Sequence, residues 1–493
     1  MIMKNFIILF SLLAIAAEVQ AQRFYQPLGR FYDLDMQQTL CCDSSKSFSS
    51  VKPVLILETE RDTSKLESFG KWCKKHFLED DFIVYDREDY SLRINPIFNF
   101  VLTKCSDYSD KNYYLNCRGI QAFGRLGNRI HFQTEFYENQ AVYMPFEDSI
   151  IAKSQRGLIP GIGHGKGYKE DGRDFAMAVG DVTIDITSHF RITLGNNKNF
   201  FGSGYRSVIL SDLTFPYPYL RYDLNFGKFY YYAYWMKQRC GNFSYARNSD
   251  LHYKYGSYHV AGFKPNNLLE IAVIEGVMWN NKKDGVETYN PKADMLFPVI
   301  FFPLMSNGFD SENKVSLGYD LNFTPIKNVK LYHQLNYLGK QQNADGEISL
   351  LSYQYGFHVF DLLFGLVPDL NSHLQFEQTV SRLDDKTQDI SFWSSYYPLS
   401  TPFFVDNNQG KETVIFLDLE YKRFAIDAKY LNRNNSNYRD ITFRYFFNKK
   451  TKWNLYVSAC HHDCSAEVYR KAWDNDYITI GMSICPANFY YDF

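Results

Sequence analysis

The chain has 493 residues and a formal net charge of −2, and 45% of its residues are hydrophobic, 22% charged and 18% aromatic. A chain of this length forms about two to four ordinary domains or one large β-barrel. The near-neutral charge excludes wholesale binding to nucleic acid, because that needs a basic surface. The apolar and charged fractions exclude both a disordered chain and a helical membrane protein.

The N-terminus has the pattern of an export signal. Lys4 precedes an apolar run from Phe6 to Ala17, and the small residues that signal peptidase accepts end at Ala21. The sequence therefore predicts a cleaved signal peptide over residues 1–21. The longest later apolar run, Met295 to Met305, is shorter than the roughly 20 residues of a membrane helix and contains two prolines. The mature chain is then either secreted or an outer-membrane barrel.

Residues 22–115 differ in pattern from the rest of the chain. Between Ser64 and Leu78, five apolar residues lie roughly on one helical face, and Ser64 is a candidate N-cap. We therefore expect residues 22–115 to form a small, partly helical plug or periplasmic segment.

From Asn116 onward the apolar period becomes two, as in the stretches Val315–Phe323 and Ile441–Phe447. Short turns at 325–328, 422–423 and 448–452 alternate with longer polar connections near 339–350, 432–440 and 460–476. This alternation is typical of transmembrane barrels, whose short turns are periplasmic and whose long loops are external. The C-terminal end at Phe493, with aromatic residues at alternate positions before it, also fits a barrel of the outer membrane.

At about 20 residues per strand and connection, residues 116–493 suffice for 16–18 strands. The predicted fold class is all-β: a transmembrane outer-membrane β-barrel of about 16–18 antiparallel strands, preceded by a small, partly helical N-terminal segment.

Two segments, 116–141 and 194–221, carry a more specific pattern. They resemble the Wzi-like capsule-assembly family of outer-membrane proteins, and especially its gliding-motility (RemB-like) relatives. The matching positions that we assign structural roles are Asn139, Gly195, Gly202 and Gly204. The resemblance implies a barrel of about 18 strands in a Gram-negative outer membrane, with a helical N-terminal bundle plugging its periplasmic side. It implies as partners the lipid bilayer, a surface polysaccharide, and a surface motility or secretion apparatus.

A polar cluster interrupted by glycines is the candidate site within the second segment. Its members are Asn197, Lys198, Asn199, Tyr205, Arg206 and Asp212. They could line the lumen and bind a saccharide or hold the plug. Alternatively, the glycines permit a bend or a close approach while the charges pair inside the barrel. We favour the structural alternative, because charges in any barrel lumen must be compensated.

Other motifs are weak. The glycine-rich run at 161–167 lacks the Gly-Lys-Ser/Thr of a phosphate loop. The run from Cys460 to Cys464 (CHHDC) is interpreted as the start of a polar or disulfide-closed external loop rather than a zinc site. Cys105/Cys117 and Cys460/Cys464 are candidate disulfide pairs among nine cysteines. We expect no catalytic residue, metal ion or cofactor.

Three functional hypotheses follow. The first is a non-enzymatic outer-membrane barrel that binds or anchors surface polysaccharide or supports gliding or adhesion. The second is an outer-membrane channel for small solutes, which requires an open lumen. The third is a secreted, soluble, glycan-active β-protein.

Overall fold

The structure is a computed structural model, and it describes most of the mature chain. The described residues are 23–25, 27–42, 48–57, 69–108, 110–153, 158–159, 161–212, 214–239, 253–278, 281–283, 286–288, 296–307, 314–343, 346–361, 367, 369–383, 409–433, 436–464 and 473–486. The predicted signal peptide, the aromatic C-terminal end and the whole of the loop at 384–408 lie outside these residues.

Eighteen long antiparallel strands, β1 to β18, close into one barrel. Their bounds are Tyr90–Cys105, Tyr113–Leu126, Ile130–Val142, Gly172–Asp185, Phe190–Asn197, Tyr217–Phe226, Phe229–Arg239, Tyr253–Phe263, Leu269–Met278, Lys314–Ile326, Val329–Asn343, Gly346–Phe360, Leu370–Leu383, Gln409–Tyr421, Phe424–Arg433, Ser436–Asn448, Trp453–Cys464 and Trp473–Ile484. Each strand pairs with its sequence neighbour, and β18 pairs with β1 to close the ring. The predicted fold class and strand number are confirmed.

Period-two alternation separates the outer face of the wall from the lumen. On β16, Ile441 and Phe443 are 50% and 57% exposed on the outer face, whereas Thr442 between them is buried and faces inward. The same alternation leaves an outer band of exposed apolar side chains on many strands, including Ile120, Phe136, Leu194, Phe229, Ile326, Phe424 and Ile480. An apolar outside around a polar inside is the arrangement of a barrel in lipid. The protein is an outer-membrane barrel of a Gram-negative bacterium.

Connections of two lengths join the strands. The turns after the even-numbered strands are mostly short, for example 327–328 and 422–423, and this edge also holds the start of β1 and the end of β18. It is therefore the periplasmic edge. The connections at the outer edge vary more in length than predicted. The loop predicted near 339–350 is mostly strand, because β11 extends to Asn343 and β12 begins at Gly346. The 15 residues of β11 exceed the roughly 9–11 that cross a bilayer, so the wall continues beyond the membrane.

The barrel begins before residue 116, where the sequence analysis placed its boundary. Strand β1 starts at Tyr90, and a short strand, Ile83–Asp86, pairs with the periplasmic end of β1. The alternation in β1 is hidden in the sequence, because Pro96 and the polar residues Arg93, Asn95 and Asn99 interrupt its apolar positions. Inside the barrel these polar side chains are buried on the lumen side.

Helices are few. They are α1 (Arg30–Cys42), α2 (Phe69–Leu78), α3 (Pro145–Lys153) and α4 (Phe302–Asn307), with a 3-10 turn at Ser106–Tyr108. Helix α2 lies within the predicted helix at 64–78, whose first residues are outside the described part, whereas α1 was not predicted. None of the helices in the described ranges is long and apolar enough to cross a membrane. The remaining short strands are Arg23–Tyr25, Val51–Lys52, Leu55–Leu57, Leu158–Ile159, Gly163–His164, Lys166–Tyr168, Phe200–Phe201, Asn281–Lys283 and Val286–Thr288.

The described part of the apolar run noted at 295–305, residues 296–305, packs against the outside of the wall. Glu275 of β9 faces outward and accepts hydrogen bonds from the backbone amides of Phe301 (2.7 Å) and Leu304 (2.8 Å). The Tyr231 hydroxyl donates to the Pro298 carbonyl at 3.2 Å. The amide bonds satisfy the Glu275 carboxylate. Without them the carboxylate would face lipid with no hydrogen-bond partner, which would cost much free energy.

The interpretation of the CHHDC run as the start of a loop is wrong, because Cys460 and Cys464 lie within β17. Four residues of extended strand place their Cα atoms about 13 Å apart, which is too far for a disulfide. Cys105 and Cys117, the other candidate pair, are also free and buried. Within the described part of the chain, no group of three or more His, Cys, Asp or Glu side chains is placed to hold a metal ion.

Candidate functional site in the barrel lumen

One connection at the outer edge folds into the lumen. Residues 198–216, here called the inward segment, join β5 to β6 but hydrogen-bond to strands on the opposite side of the ring. Ser203 Oγ donates to Asn322 of β10 at 2.6 Å, and Gln354 of β12 donates to the Arg206 carbonyl at 3.0 Å. The backbone amides of Tyr205 and Arg206 donate to Glu377 of β13 at 2.6 and 3.1 Å. The inward segment therefore spans the lumen from wall to wall.

The described N-terminal residues 27–42 and 48–57, here called the N-terminal segment, enter the same lumen. The backbone amides and hydroxyls of Ser49 and Ser50 surround the Glu270 carboxylate of β9 at 2.9–3.1 Å. Lys330 of β11 donates to Gln37 in α1 at 2.8 Å. Because these wall residues face inward, the described part of the N-terminal segment, including α1, lies inside the barrel.

The two segments inside the lumen are joined to each other. Val51–Lys52 pairs with Phe200–Phe201 as a two-stranded antiparallel ribbon. A second connection runs through the wall: His358 donates to the Ser203 carbonyl at 3.0 Å and lies 3.0 Å from His373. His373 in turn lies 2.8 Å from Asp418, which pairs with Arg30 of α1 at 2.5 Å. Movement of either segment must therefore break contacts of the other.

A cavity of about 430 Å³ remains beside these segments. It lies between α1, the edge of the inward segment at Tyr205, and the wall formed by β13–β18, β1 and β2. On β16 its lining runs from Tyr438 near the outer edge to Phe446 near the periplasmic edge. Eight residues of strand correspond to about 26 Å, so the cavity follows most of the lumen's length.

The cavity wall carries charges of both signs. Its acidic members are Asp35, Glu147, Asp418, Glu420, Asp427 and Asp440, and its basic members are Arg30, Lys429, Arg444 and Lys452. Arg444 pairs with Asp427, and Lys452 pairs with Asp35 at 2.5 Å. Asp440 accepts hydrogen bonds from the hydroxyls of Thr442 and Ser458. Paired charges and hydroxyls give a polar surface on which a solute could exchange hydrogen bonds.

Lys429 lies at the centre of an aromatic group. Its ammonium nitrogen is 4.9 Å from the ring centre of Tyr438, 5.1 Å from that of Tyr205 and 5.7 Å from that of Phe416, and it donates to the Tyr205 hydroxyl at 3.2 Å. Cation–π contacts of this kind hold a charge without neutralising it. Lys429 thus places a positive charge on the cavity wall beside the inward segment.

Glu147, in the first turn of α3, lines the outer end of the cavity. Burial raises the pKa of its carboxyl to about 7, and the nearby Asp148 acts in the same direction. The backbone amide of Met144 donates to it at 3.0 Å, which opposes the shift. This carboxyl therefore changes charge near neutral pH.

The predicted polar cluster lies in and beside the inward segment, but it does not form one site. Asn197 donates to Asp181 at 2.6 Å, and Asn199 donates to the Tyr217 hydroxyl at 3.4 Å. Lys198 is buried, and the negative charges of Asp212 and Glu135 attract its ammonium group. These residues pack between the segment and the wall.

Arg206 and Tyr205 lie in the middle of the inward segment. The buried Arg206 guanidinium donates to Glu412 at 3.3 Å and stacks over the Tyr205 ring at 4.6 Å. Of the six predicted members, Tyr205 lines the large cavity and Asp212 lines a small recess between the two lumen segments. That geometry supports the structural alternative for most of the cluster, which stays a proposal.

The four family-motif positions are all crowded. Gly195 lies in β5 beside the side chains of Asp181 and Tyr219, and Asn139 is fully buried and donates to the Phe175 carbonyl at 3.4 Å. Gly202 has a φ of +115°, a conformation that side chains rarely allow. A side chain at Gly204 would meet Gln354 and Glu377.

Several cavity residues were missed as site candidates. The alternation of β14 and β15 does place Asp418, Asp427 and Lys429 on one polar face, so the signal for an inward position was present. Arg30 had no such signal, because its helix was not predicted. Arg444 stands on the inward face of a strand whose outer face is almost wholly apolar and aromatic, which could have identified it.

Comparisons with known proteins yield only distant similarities. No family model matches the chain, and no curated protein matches it. Solved structures that are similar include OccK8 (OprE) of Pseudomonas aeruginosa, with 10% identity, 80% of this chain and 97% of that chain covered, and a TM-score of 0.41. A BenF-like porin from Pseudomonas fluorescens has 8% identity, 80% and 98% coverage and a TM-score of 0.43. OpdK of Pseudomonas aeruginosa, solved with vanillate, has 9% identity, 80% and 98% coverage and a TM-score of 0.44.

These comparisons correct the family prediction. None of the three proteins is named for capsule assembly, and one is named a porin. The resemblance to the Wzi-like family is therefore wrong, and the polysaccharide-binding hypothesis that rested on it is wrong as well. A polysaccharide or motility-apparatus partner has no support, whereas the lipid bilayer is a partner of any such barrel.

Proposed function

We propose that the chain is an outer-membrane channel for small polar solutes and that the cavity beside α1 is its route. The observation that carries this proposal is the extent of the cavity, which follows β16 for about 26 Å between the two edges of the barrel. Its volume of about 430 Å³ falls within the range of sites for small molecules.

The lumen contents set the size limit of this route. The inward segment and the strand Val51–Lys52 of the N-terminal segment occupy the space on the other side of α1, so the described residues leave no wide water-filled pore. A solute must instead pass Tyr205, Lys429 and Arg444, which restricts passage to small molecules that can exchange hydrogen bonds with the wall. The proposal is therefore a narrow, selective channel rather than a general pore.

The test is conductance of the purified full-length protein in planar bilayers, compared between two variants of neighbouring residues. Ser458→Trp places an indole in the cavity, because Ser458 lines it. Val457→Trp is the matched control, because Val457 is 45% exposed on the lipid face of the same strand. We expect a small but measurable conductance that Ser458→Trp abolishes and Val457→Trp leaves unchanged.

Two outcomes would contradict the proposal. One is no conductance from folded wild-type protein, with folding verified by heat-modifiable migration in SDS gels. The other is an equal conductance for the two tryptophan variants, which would place the route outside the cavity.

A further inference from the structure

The periplasmic edge of the barrel is strongly basic. Its eight turns contain nine basic residues and two acidic ones, Asp361 and Asp369. The basic residues are Arg129, Lys228, Lys264, Lys327, Lys422, Arg423, Lys449, Lys450 and Lys452. The connections at the outer edge, without the inward segment, contain eighteen acidic and twelve basic residues. The charge asymmetry thus runs along the membrane normal, although the whole chain is nearly neutral.

Part of this charge is used within the protein. Lys450 pairs with Asp80 and Asp81, Lys452 pairs with Asp35, and Lys449 pairs with Glu420. The pairs of Lys450 and Lys452 dock the loop after α2 and the N-terminal segment on the turn after β16, and the pair of Lys449 joins this turn to β14. They account for three of the basic residues, all in a single turn.

Four other cations are exposed, each on a separate turn. They are Arg129, Lys228, Lys327 and Lys422, and no carboxylate of the described residues lies within ion-pair distance of them. We call these four residues the basic collar. Cations spread around a ring and left without acidic partners favour an anionic surface over a single small ligand.

The residues next to the collar identify that surface. Lys228 is flanked by Phe226 and Phe229, which are 48% and 59% exposed on the outer face. Ile326, beside Lys327, is 64% exposed, and Phe424, near Lys422, is 61% exposed. Apolar side chains at this level lie in the hydrocarbon boundary, and a cation next to them reaches the phosphate layer.

We propose that the basic collar binds the head groups of anionic phospholipids in the periplasmic leaflet of the outer membrane. The collar is continuous with the lipid-facing band of the barrel, and its charge is complementary to phosphatidylglycerol and cardiolipin. Such binding fixes the depth of the barrel in the membrane and its preference among lipids. It is independent of whether the lumen conducts.

The test measures the relative affinity of the full-length protein for two lipids, by quenching of tryptophan fluorescence with dibrominated phosphatidylglycerol or dibrominated phosphatidylcholine. Trp453, at the periplasmic end of β17, provides a reporter at this level. The test variant is R129Q/K228Q/K327Q/K422Q. The matched control, K104Q/K111Q/K166Q/K169Q, removes four exposed cations from the outer edge.

A cation near a charged lipid surface contributes about fivefold in affinity. We therefore expect wild-type protein to prefer phosphatidylglycerol at least about tenfold, and the collar variant to lose that preference while the control variant keeps it. The preference should also disappear in 1 M salt, where the screening length is about 3 Å. Equal affinities of the wild type for the two lipids, an unchanged preference in the collar variant, or an equal loss in both variants would overturn the proposal. Heat-modifiable migration verifies that each variant is folded.

Discussion

Glu377 holds the inward segment across the lumen, and its replacement predicts a specific change in conductance. The carboxylate accepts hydrogen bonds from the amides of Tyr205 and Arg206 and from the Tyr332 hydroxyl, at 2.6, 3.1 and 2.8 Å. Glu377→Gln keeps the volume of the side chain but replaces one acceptor oxygen with an NH₂ donor. One buried backbone amide then has no acceptor, and the remaining hydrogen bonds to residue 377 are no longer made to a charged group. Such a loss costs about 3 kcal/mol.

A cost of about 3 kcal/mol corresponds to a change of about a hundredfold in the equilibrium between the docked and released states of the inward segment. Release widens the cavity at Tyr205, so single-channel recordings in planar bilayers should show a second, larger conductance level. We expect the fraction of time in that level to rise by about a hundredfold over wild type.

The matched control is Glu275→Gln. Glu275 also accepts two backbone amides, but they belong to the segment on the outside of the wall. This variant should leave both conductance levels as in wild type. If Glu377→Gln shows no increase in the larger level, or if Glu275→Gln shows the same increase, the inward segment does not control the width of the route.

Three further outcomes are expected. Because the pKa of Glu147 is raised to about 7, its carboxyl is mostly neutral at pH 6 and mostly ionised at pH 8. The preference for cations, measured as the reversal potential in a KCl gradient, should therefore rise from pH 6 to pH 8. The same preference should not change with pH in Glu147→Gln. Asp427→Asn leaves the Arg444 charge unbalanced and should shift the reversal potential toward anion preference by several millivolts, whereas a shift toward cations would contradict the pairing. Gly204→Ala forces a methyl group against Glu377 and should lower the temperature of heat-modifiable unfolding, at a cost of about 1–3 kcal/mol; an unchanged temperature would show that the segment has room to move.

The barrel could be predicted from the sequence because its main signal is local. Alternation of apolar and polar residues can be recognised from neighbouring positions in the sequence alone. The turns at 327–328 and 422–423 stand out as charged interruptions between alternating stretches. The predicted strand ends were less accurate, because polar strand extensions outside the membrane have the composition of loops. The segments 344–345 and 434–435 show this, since the strands on both sides continue almost to the turn.

The lumen could not be predicted in the same way, because its contacts are non-local. Arg30 and Asp418 are 388 residues apart in the chain, and only closure of the barrel and entry of α1 bring them together. Helix α1 itself has no clear apolar stripe, since it is surrounded by polar lumen walls rather than by a core. The mixed composition of Arg30–Cys42 therefore resembles a surface loop in the sequence.

The misleading family resemblance also has a physical explanation. The glycines at 202 and 204 stand where the inward segment bends and passes close to wall side chains, and Gly202 needs its positive φ. Any chain that threads a polypeptide through a crowded lumen requires small residues with polar neighbours at such a crossing. A glycine-rich polar motif therefore indicates that a segment crosses a lumen, and it does not identify a ligand.

The acidic residues of the wall fall into two groups with different consequences for motion. Glu270 and Glu377 accept backbone amides, whose positions are set by the fold of the segment, so they can release their partners only if the segment itself moves. Asp418 and Asp427 pair with Arg30 and Arg444, whose long side chains can change rotamer while the backbone stays in place. A solute can therefore compete for the second group without moving the segments held by the first. In the proposed channel, this division lets a solute exchange contacts with the wall while the segments inside the lumen stay docked.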